Sequence, residues 1–527
     1  NTGHQPGANA LGTNFVCTSD AVYVAYGDKC LRLDPATGET LSEFRLPGAP
    51  TWGYIGIYGD LLIAGASPVI FAGKETPGGK DNWDATSSKQ LVVMDRSTGK
   101  VLWSFDSTYC FRHNAIVAGA GKVFCIDLLP DRTLEQAERR GETAAGQGKL
   151  VALDARTGEV VWSTDQDVFG TWLSYSEEHD ILLQAGRPGR DMLPNEPADR
   201  MITYRGTDGT VVWDKRSSYS GPCMLHGDSI LTQGSALSLL TGDPLTRSNP
   251  ITGADMPWRW TRNYGCNYAV ASQNLITFRS AAAGYFDLVN GSGTGNLGGF
   301  KSGCTSNLIV ANGVLNAPDY TRTCTCKYQN QTSLAFVHDP EVEMWTFNNY
   351  ELGGGPVKRV GINLGAPGDR MSDDGTLWLD YPSVGGPSPT VPVQVAPEEP
   401  DWFRWHSSRV QGEGRNWVAA SGAKAITRMS ITLAQQGAPE RAYTVRLHFV
   451  EPDGSPPGQR VFDVALQGNT VLRGLDIAKE AGGPKRPLVK ELTGVKVRDV
   501  LSVSLKPRSA APGRGPVLCG IEVVAEG

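Results

Sequence analysis

The chain has 527 residues, 40% of them hydrophobic and 20% charged, with 63 glycines and 33 prolines. This length exceeds that of one ordinary domain, and the content of glycine and proline is typical of a turn-rich β protein. The formal net charge of -6 offers no basic surface to nucleic acid. No apolar run reaches the roughly 18 residues of a membrane-spanning helix, so we expect neither a nucleic-acid partner nor a transmembrane segment.

A hairpin motif recurs along the first two thirds of the chain. Three segments align without gaps, LRLDPATGETLSEF (31–44), VVMDRSTGKVLWSF (92–105) and VALDARTGEVVWST (151–164), and ITYRGTDGTVVWDK (202–215) keeps the turn and the tryptophan. Glycine supplies the positive φ that a tight turn needs, and branched residues favour the flanking strands. The turn glycines lie 61, 59 and 51 residues apart, a spacing that fits four-stranded propeller blades with long insertions.

Two further strands precede most of these hairpins and give a blade count. Seven such starts occur, near residues 14, 53, 114, 171, 223, 266 and 305. We therefore predict an all-β fold whose residues 1–348 form a seven-bladed β-propeller. The chain begins at Asn1 without a signal-like segment, which indicates a processed or truncated sequence, so an eighth blade upstream stays open.

The motif D-x-x-T-G-x-x-x-W resembles the repeat of the PQQ-like quinoprotein β-propellers. This resemblance implies an architecture in which the Asp, Thr and Trp side chains dock neighbouring blades. It implies a quinone cofactor only weakly, because many propellers of this kind carry none. We interpret the recurring tryptophans as structural: Trp103, Trp162, Trp213 and Trp345.

Blade geometry predicts one mouth of the central channel as the candidate site. The residues before each first strand and the loop after each second strand lie on the same face. The loop YTRTCTCKYQNQ (320–331) carries two cysteines at i and i+2, which point to the same side of an extended segment. The predicted metal ligands at this mouth are Cys266, Cys304, Cys324, Cys326 and His113, with Cys223 nearby.

Thiolate and imidazole ligands suit transition metals, and we favour copper, with iron or zinc as alternatives. The same cysteines are alternatively disulfides, which export would favour, or packed thiols. The candidate catalytic residues are His113, Tyr264, Asp319 and Tyr320, with Asp127 as a second candidate base. The candidate cofactor-binding residues are Trp52, Trp172, Asn114 and Asn267, the tryptophans by stacking and the asparagines as part of an incomplete calcium–quinone set.

The last third of the chain changes character. Residues 349–357 read as a linker, and YPSVGGPSPTVPVQVAPEEPDW (381–402) reads as a long loop. Five strand-like segments follow from Tyr443, which predicts a β-sandwich. VGINLGAPGDR, YTVRLHFVE, GQRVFDVALQG, LDIAKEAGGP and GIEVV, in that order, are similar to a malectin-like domain covering residues 358–527. The resemblance implies a jelly-roll-like sandwich of a kind that often binds carbohydrate.

As a whole, the sequence is similar to PQQ-like propellers with a C-terminal malectin-like domain, which are known chiefly as predicted exported proteins of Planctomycetes-type bacteria. The resemblance implies a periplasmic or extracellular location and a carbohydrate partner, with a protein partner as a further option. Our leading hypothesis is an exported carbohydrate-associated oxidoreductase with the Cys/His site described above. The alternatives are a PQQ-dependent alcohol dehydrogenase, with PQQ the less expected cofactor, a glycan lyase or hydrolase, and a non-catalytic glycan- or protein-binding scaffold with disulfides at the mouth.

Overall fold

The computed structural model describes residues 14–68, 87–129, 139–141, 148–188, 197, 199–263, 265, 267–298, 308–318, 332–508 and 514–527. Within these ranges the chain is nearly all-β, as predicted. It includes two single-turn helices, α1 (Asn416–Ala419) and α2 (Ile477–Glu480), and a 3-10 turn at Ser407–Arg409. No helix within these ranges combines the length and the apolar character needed to cross a bilayer.

The first 216 residues contain three antiparallel sheets whose strands follow the chain order. The first sheet contains β1 (Phe15–Cys17), β2 (Val22–Tyr26), β3 (Lys29–Leu33) and β4 (Thr40–Arg45). The second contains β5 (Trp52–Tyr58), β6 (Leu61–Pro68), β7 (Ser87–Asp95), β8 (Val101–Gly119), β9 (Lys122–Asp127), β10 (Lys149–Asp154) and β11 (Val160–Thr164). The third contains β12 (Trp172–Ser176), β13 (Ile181–Ala185), β14 (Arg200–Arg205) and β15 (Val211–Arg216).

Shorter sheets occupy residues 224–347. One contains β16 (Met224–His226), β17 (Ser229–Leu231) and β18 (Ala236–Ser238), and the hairpin after it contains β19 (Thr246–Ser248) and β20 (Asp255–Pro257). The next sheet contains β21 (Val270–Ala271), β22 (Leu275–Ser280), β23 (Ala282–Asp287), β24 (Thr294–Asn296) and β28 (Thr346–Phe347). Another contains β25 (Ile309–Ala311), β26 (Val314–Ala317) and β27 (Leu334–Val337).

Six of the seven predicted blade starts coincide with the first strand of a sheet. The remaining one, near residue 114, lies inside β8. This 19-residue strand pairs with β7 through its first half and with β9 through its second, so it joins two predicted blades into one sheet. Neighbouring first strands contact each other from β1 through β5, β8, β12 and β16 to β21. The propeller-type fold is thus confirmed, whereas the number of blades stays a prediction.

The repeated tryptophans dock one blade on the next, as predicted. The Trp103 indole Nε1 donates a hydrogen bond to the Ala155 carbonyl oxygen at 3.0 Å, and its ring covers Gly158. Gly158 has a φ of +76°, and a Cβ added there would lie 2.7 Å from Trp103 Cδ2. Both the backbone conformation and the contact with Trp103 therefore favour glycine at this position. Equivalent indole bonds run from Trp162 to Gly206 and from Trp213 to Leu239. Trp345 differs, because its ring lies against Trp417 of the C-terminal domain.

The C-terminal domain is a sandwich built on two large sheets. The six-stranded sheet contains β29 (Arg359–Leu364), β30 (Arg370–Met371), β31 (Leu377–Tyr381), β36 (Arg441–Phe449), β39 (Leu488–Val497) and β42 (Gly520–Ala525). The five-stranded sheet contains β32 (Val393–Ala396), β35 (Arg428–Thr432), β37 (Val461–Leu466), β38 (Asn469–Asp476) and β40 (Val500–Pro507). A three-stranded sheet contains β33 (Asp401–Arg404), β34 (Ser421–Lys424) and β41 (Val517–Leu518).

Alternating apolar residues close the core between the two large sheets. In β36, Tyr443, Val445 and Leu447 are buried, and Phe449 lies with its ring centroid 6.0 Å from that of Phe462. The predicted strands are therefore confirmed. The long loop predicted at 381–402 is wrong at its end, because β32 pairs with β35 and β33 with β34. Their partners lie far along the chain, so the local proline content concealed both strands.

The segment predicted as a linker packs against both parts of the chain. Tyr350 and Val357 are buried in the apolar core that continues into the sandwich. The Lys358 and Arg359 amides donate to the Ile251 carbonyl oxygen at 2.7 and 3.0 Å, and Thr346 forms an antiparallel bridge with Asp369. The exact limits 1–348, 349–357 and 358–527 stay predictions.

Candidate functional site

Most of the predicted channel-mouth site lies outside the described residues. This group comprises Tyr264, Cys266, Cys304, Asp319, Tyr320, Cys324 and Cys326. Whether their sulfur atoms converge stays a prediction. Within the described ranges, no group of three or more His, Cys, Asp and Glu side chains is arranged to hold a metal ion.

His113 lies in the middle of β8 and is buried. Its Nε2 atom lies 2.8 Å from the hydroxyl oxygen of Ser88, and its ring approaches Gly53 so closely that an added Cβ would lie 3.0 Å from Cε1. Burial lowers the pKa of His113 to about 3, so the imidazole is neutral at physiological pH. A neutral imidazole can bind a metal, but the nitrogen facing Ser88 is already engaged. These contacts favour a packing role for His113.

The two off-pattern tryptophans differ in exposure. Trp52 is 6% exposed and packs in the apolar cluster between the first two sheets. Trp172 is half-buried, and its Nε1 donates to the Ser174 hydroxyl at 3.1 Å. Of the two, Trp172 alone keeps an accessible surface on which a planar ligand would stack.

Two of the described candidate residues, Asn267 and Asp127, accept hydrogen bonds from within the protein. The Asn267 side-chain oxygen accepts hydrogen bonds from the Arg279 amide at 2.9 Å and from Arg262 at 3.2 Å. The Asp127 carboxylate accepts from the Thr108 and Tyr109 amides of the neighbouring strand β8 at 2.5 and 2.8 Å. Asn114 is half-buried within β8. The oxygens of Asn267 and Asp127 are thus already used by the protein.

A cavity that sequence reasoning missed opens on the C-terminal domain, with a volume of about 390 Å³. Three separate segments line it: Gly365 and Ala366 after β29, Pro382 and Val384 after β31, and Trp402, Phe403 and Arg404 of β33. Trp402 and Phe403 are half-buried, and Arg404 is exposed. The Arg404 guanidinium makes no hydrogen bond or ion pair with another residue in the described ranges. The cavity thus presents aromatic surface beside a free cationic donor.

Two glycines set the shape of this cavity. Gly365 has a φ of +74°, and its amide donates to the Tyr381 carbonyl oxygen at 2.7 Å, which ties the first two segments together. Gly422 pairs with Phe403 across β33 and β34, and an added Cβ would lie 2.8 Å from the Phe403 ring. The Tyr381 ring flanks Trp402, with a centroid separation of 6.3 Å. The aromatic wall is therefore held by backbone geometry before any ligand arrives.

Such a wall has a clear chemical use. Aromatic faces stack on planar or weakly polar rings, and a nearby guanidinium donates hydrogen bonds to oxygen atoms. The sequence signal was the run Asp401-Trp402-Phe403-Arg404-Trp405, which places three aromatic residues in a stretch otherwise rich in proline.

Comparison with known families assigns both parts of the chain. The family described as malectin domain matches residues 426–510, and the family described as outer membrane protein assembly factor BamB matches residues 27–215 and 88–260. The chain is a PQQ-like β-propeller protein with a C-terminal malectin domain. The residues that line the aromatic cavity, 365–404, precede the matched residues 426–510 and lie in the same C-terminal sandwich.

Curated relatives share only a short segment with this propeller–malectin protein. Receptor-like protein 4 of Arabidopsis thaliana is 38% identical over 87 residues, which are 16% of this chain and 13% of that protein. A probable LRR receptor-like serine/threonine-protein kinase of Arabidopsis thaliana is 36% identical over 83 residues, 14% of this chain and 8% of the kinase. The chain thus spans about a tenth of these relatives. Among solved structures, BamB from Moraxella catarrhalis is 16% identical with a TM-score of 0.35, over 59% of this chain and 82% of BamB.

Proposed function

We propose that this protein binds carbohydrate through the aromatic cavity of its C-terminal sandwich. The observation that carries the proposal is the wall of Trp402 and Phe403 beside the unpaired guanidinium of Arg404. A saccharide ring presents an apolar face of C–H groups, which stacks on an aromatic ring, and hydroxyl oxygens at its rim, which accept hydrogen bonds from arginine. The cavity volume of about 390 Å³ has room for one or two sugar rings.

In this proposal the propeller serves as a scaffold against which the malectin domain packs. The contacts of Ile251, Thr346 and Tyr350 with the sandwich hold the two together. A periplasmic or extracellular location, where glycans are present, is part of the same proposal. The oxidoreductase hypothesis, with copper favoured over iron or zinc, is a separate proposal that rests on the sequence alone, and metal analysis of protein purified without chelator tests it.

A glycan array tests carbohydrate binding against many different sugars at once. The wild-type chain should label a set of glycans, and Trp402→Ala should weaken binding to that set about tenfold, because the stacking surface is lost. Arg404→Ala leaves the half-buried Trp402 ring in place but removes the guanidinium donor, so it should weaken binding to the same glycans by a smaller factor. Tyr26→Ala is the matched control, because Tyr26 is a 68% exposed aromatic residue of the propeller outside the cavity. Failure of the wild-type chain to bind any glycan, or equal binding by Trp402→Ala, contradicts the proposal.

A further inference from the structure

A second, larger cavity lies where the propeller meets the sandwich, with a volume of about 1110 Å³. Its walls come from the hairpin of β19 and β20, from the sheets of β23 and β27, and from the turn between β30 and β31. The cavity exceeds the size of typical sites for small ligands, about 300–1,000 Å³. None of its lining residues contributes to the Trp402 cavity, so the two sites are distinct.

Arg247 lines this cavity without a carboxylate partner in the described part of the chain. Its guanidinium lies over the Tyr350 ring, 4.3 Å from the centroid, and Nη2 donates to the Asn349 side-chain oxygen at a long 3.3 Å. Its Nε atom is buried without a hydrogen-bond partner. Nη1 forms no hydrogen bond with a described residue either. Burial lowers the pKa of Arg247, which indicates that its charge lies in a poorly solvated setting.

Three carboxylates line the cavity, those of Asp287, Asp339 and Asp373, and none of them forms an ion pair with Arg247. Asp287 lines the cavity, but its oxygens accept from the Val289 amide at 2.9 Å, the Asn290 amide at 3.0 Å and the Ser292 hydroxyl at 3.1 Å. Arg370 lies over Trp417, 4.9 Å from the ring centroid, with acidic side chains in its vicinity. Neither arginine forms an ion pair in the described part of the chain, but Glu343 and Asp373 lie near Arg370, whereas Arg247 has no acidic side chain beside it.

Much of the remaining wall is aromatic and apolar. Trp258, Tyr285, Phe336 and Met344 all face the cavity. Tyr285 is 9% exposed, and burial raises the pKa of its hydroxyl to about 12, so it stays a neutral donor. A guanidinium with free terminal donors binds a carboxylate through two parallel hydrogen bonds, and aromatic walls favour a ring next to that carboxylate.

We propose that this cavity binds an organic carboxylate, with the carboxylate on Arg247 and the attached ring against Trp258, Tyr285 and Phe336. This site goes beyond the proposed carbohydrate binding at Trp402. The shared chemistry is a carboxylate on a six-membered ring, and it has two sources, an aromatic acid and a uronic acid.

The ligand side of the proposal is tested on the unmodified chain by calorimetry. The probes are 4-hydroxybenzoate and methyl glucuronide, each beside its neutral amide. We expect at least one of the acids to bind with a Kd below about 1 mM and its amide to bind at least tenfold more weakly. The acid that binds identifies the source. Absence of binding by both acids, or equal binding of acid and amide, overturns the proposal.

The protein side is tested with Arg247→Gln and the same acid. We expect a loss of affinity of tenfold or more, whereas Arg156→Gln, which removes an exposed arginine already paired with Asp60 at 2.8 Å, should leave affinity unchanged. If Arg247→Gln lowers the melting temperature, Arg247→Lys decides instead. It keeps the positive charge but loses the planar pair of N–H donors that binds a carboxylate, so it should weaken binding about threefold or more. Wild-type affinity in the variant that decides overturns the assignment of Arg247.

Discussion

Asp369 is a buried carboxyl group at the junction of the two domains, and replacing it should change how stability depends on pH. The residue is fully buried, and its Oδ1 atom has no hydrogen-bond partner in the described part of the chain. Its Oδ2 accepts from the Ser388 hydroxyl at 2.5 Å and from the Asn348 amide nitrogen at 3.2 Å. Desolvation outweighs these bonds and raises the pKa of Asp369 from 3.8 to about 6.

A raised pKa means that the folded protein holds this proton more tightly than the unfolded chain. The contribution of Asp369 to the free energy of unfolding is therefore most favourable below about pH 4. It decreases as the pH rises towards about 6 and stays at its lowest value above that pH. The shift from 3.8 to about 6 corresponds to about 3 kcal/mol at neutral pH. Asp369→Asn removes the buried charge and keeps a side-chain oxygen for the Ser388 and Asn348 donors, so we expect it to stabilise the protein by up to this amount near pH 7.5.

Urea unfolding at about pH 4 and pH 7.5 measures the effect, since the gain should be large at the higher pH and small at the lower one. Asp463→Asn is the control with the opposite sign. The Gly474 amide and Arg508 hold the pKa of Asp463 below its usual value, so its loss should destabilise the protein near pH 7.5. A variant Asp369→Asn that is less stable than wild type near pH 7.5, or equally shifted at both pH values, would refute this reasoning.

Three further predictions concern the propeller. Gly158→Ala should lower the free energy of unfolding in urea by more than about 1 kcal/mol, because φ is positive and Trp103 covers the site. Gly59→Ala, where φ is positive but the space is open, should lower it by less. Equal losses of stability in the two variants would contradict the docking of Trp103 on Gly158. Trp103→Phe should cost about 1 kcal/mol through the lost bond to Ala155, and unchanged stability would argue against that bond. The ring signals of His113 in NMR should not titrate between about pH 5 and 8, because burial lowers its pKa to about 3, and a midpoint inside that range would show that the ring is solvated.

The propeller was predictable because its signals are local. In the two complete repeats, 95–103 and 154–162, the aspartate, the glycine and the tryptophan lie within nine residues, and each has one geometric task. In the structure Asp95 accepts from Thr98, Gly158 has a positive φ and Trp103 docks on the next blade. The strands of the sandwich followed from alternation in the same way.

The aromatic cavity was not predictable by the same means. Its lining comes from the segments around Gly365, Pro382 and Trp402, which meet only through pairing between strands that are distant along the chain. Residue type alone also does not reveal the surroundings of Asp127 and Asn267. Backbone amides donate hydrogen bonds to the side-chain oxygens of both residues, and a sequence does not state which amides come near.

NMR titration of the indole N–H signals with a glycan that the array identifies tests carbohydrate binding most directly. Trp402 is assigned by comparison with Trp402→Phe, and the fully buried Trp378 serves as an internal reference in the same domain. Binding at the aromatic cavity predicts that the Trp402 signal shifts to saturation while that of Trp378 stays nearly unchanged. A saturating glycan that leaves the Trp402 signal in place and shifts indoles of the propeller instead would contradict the proposed site.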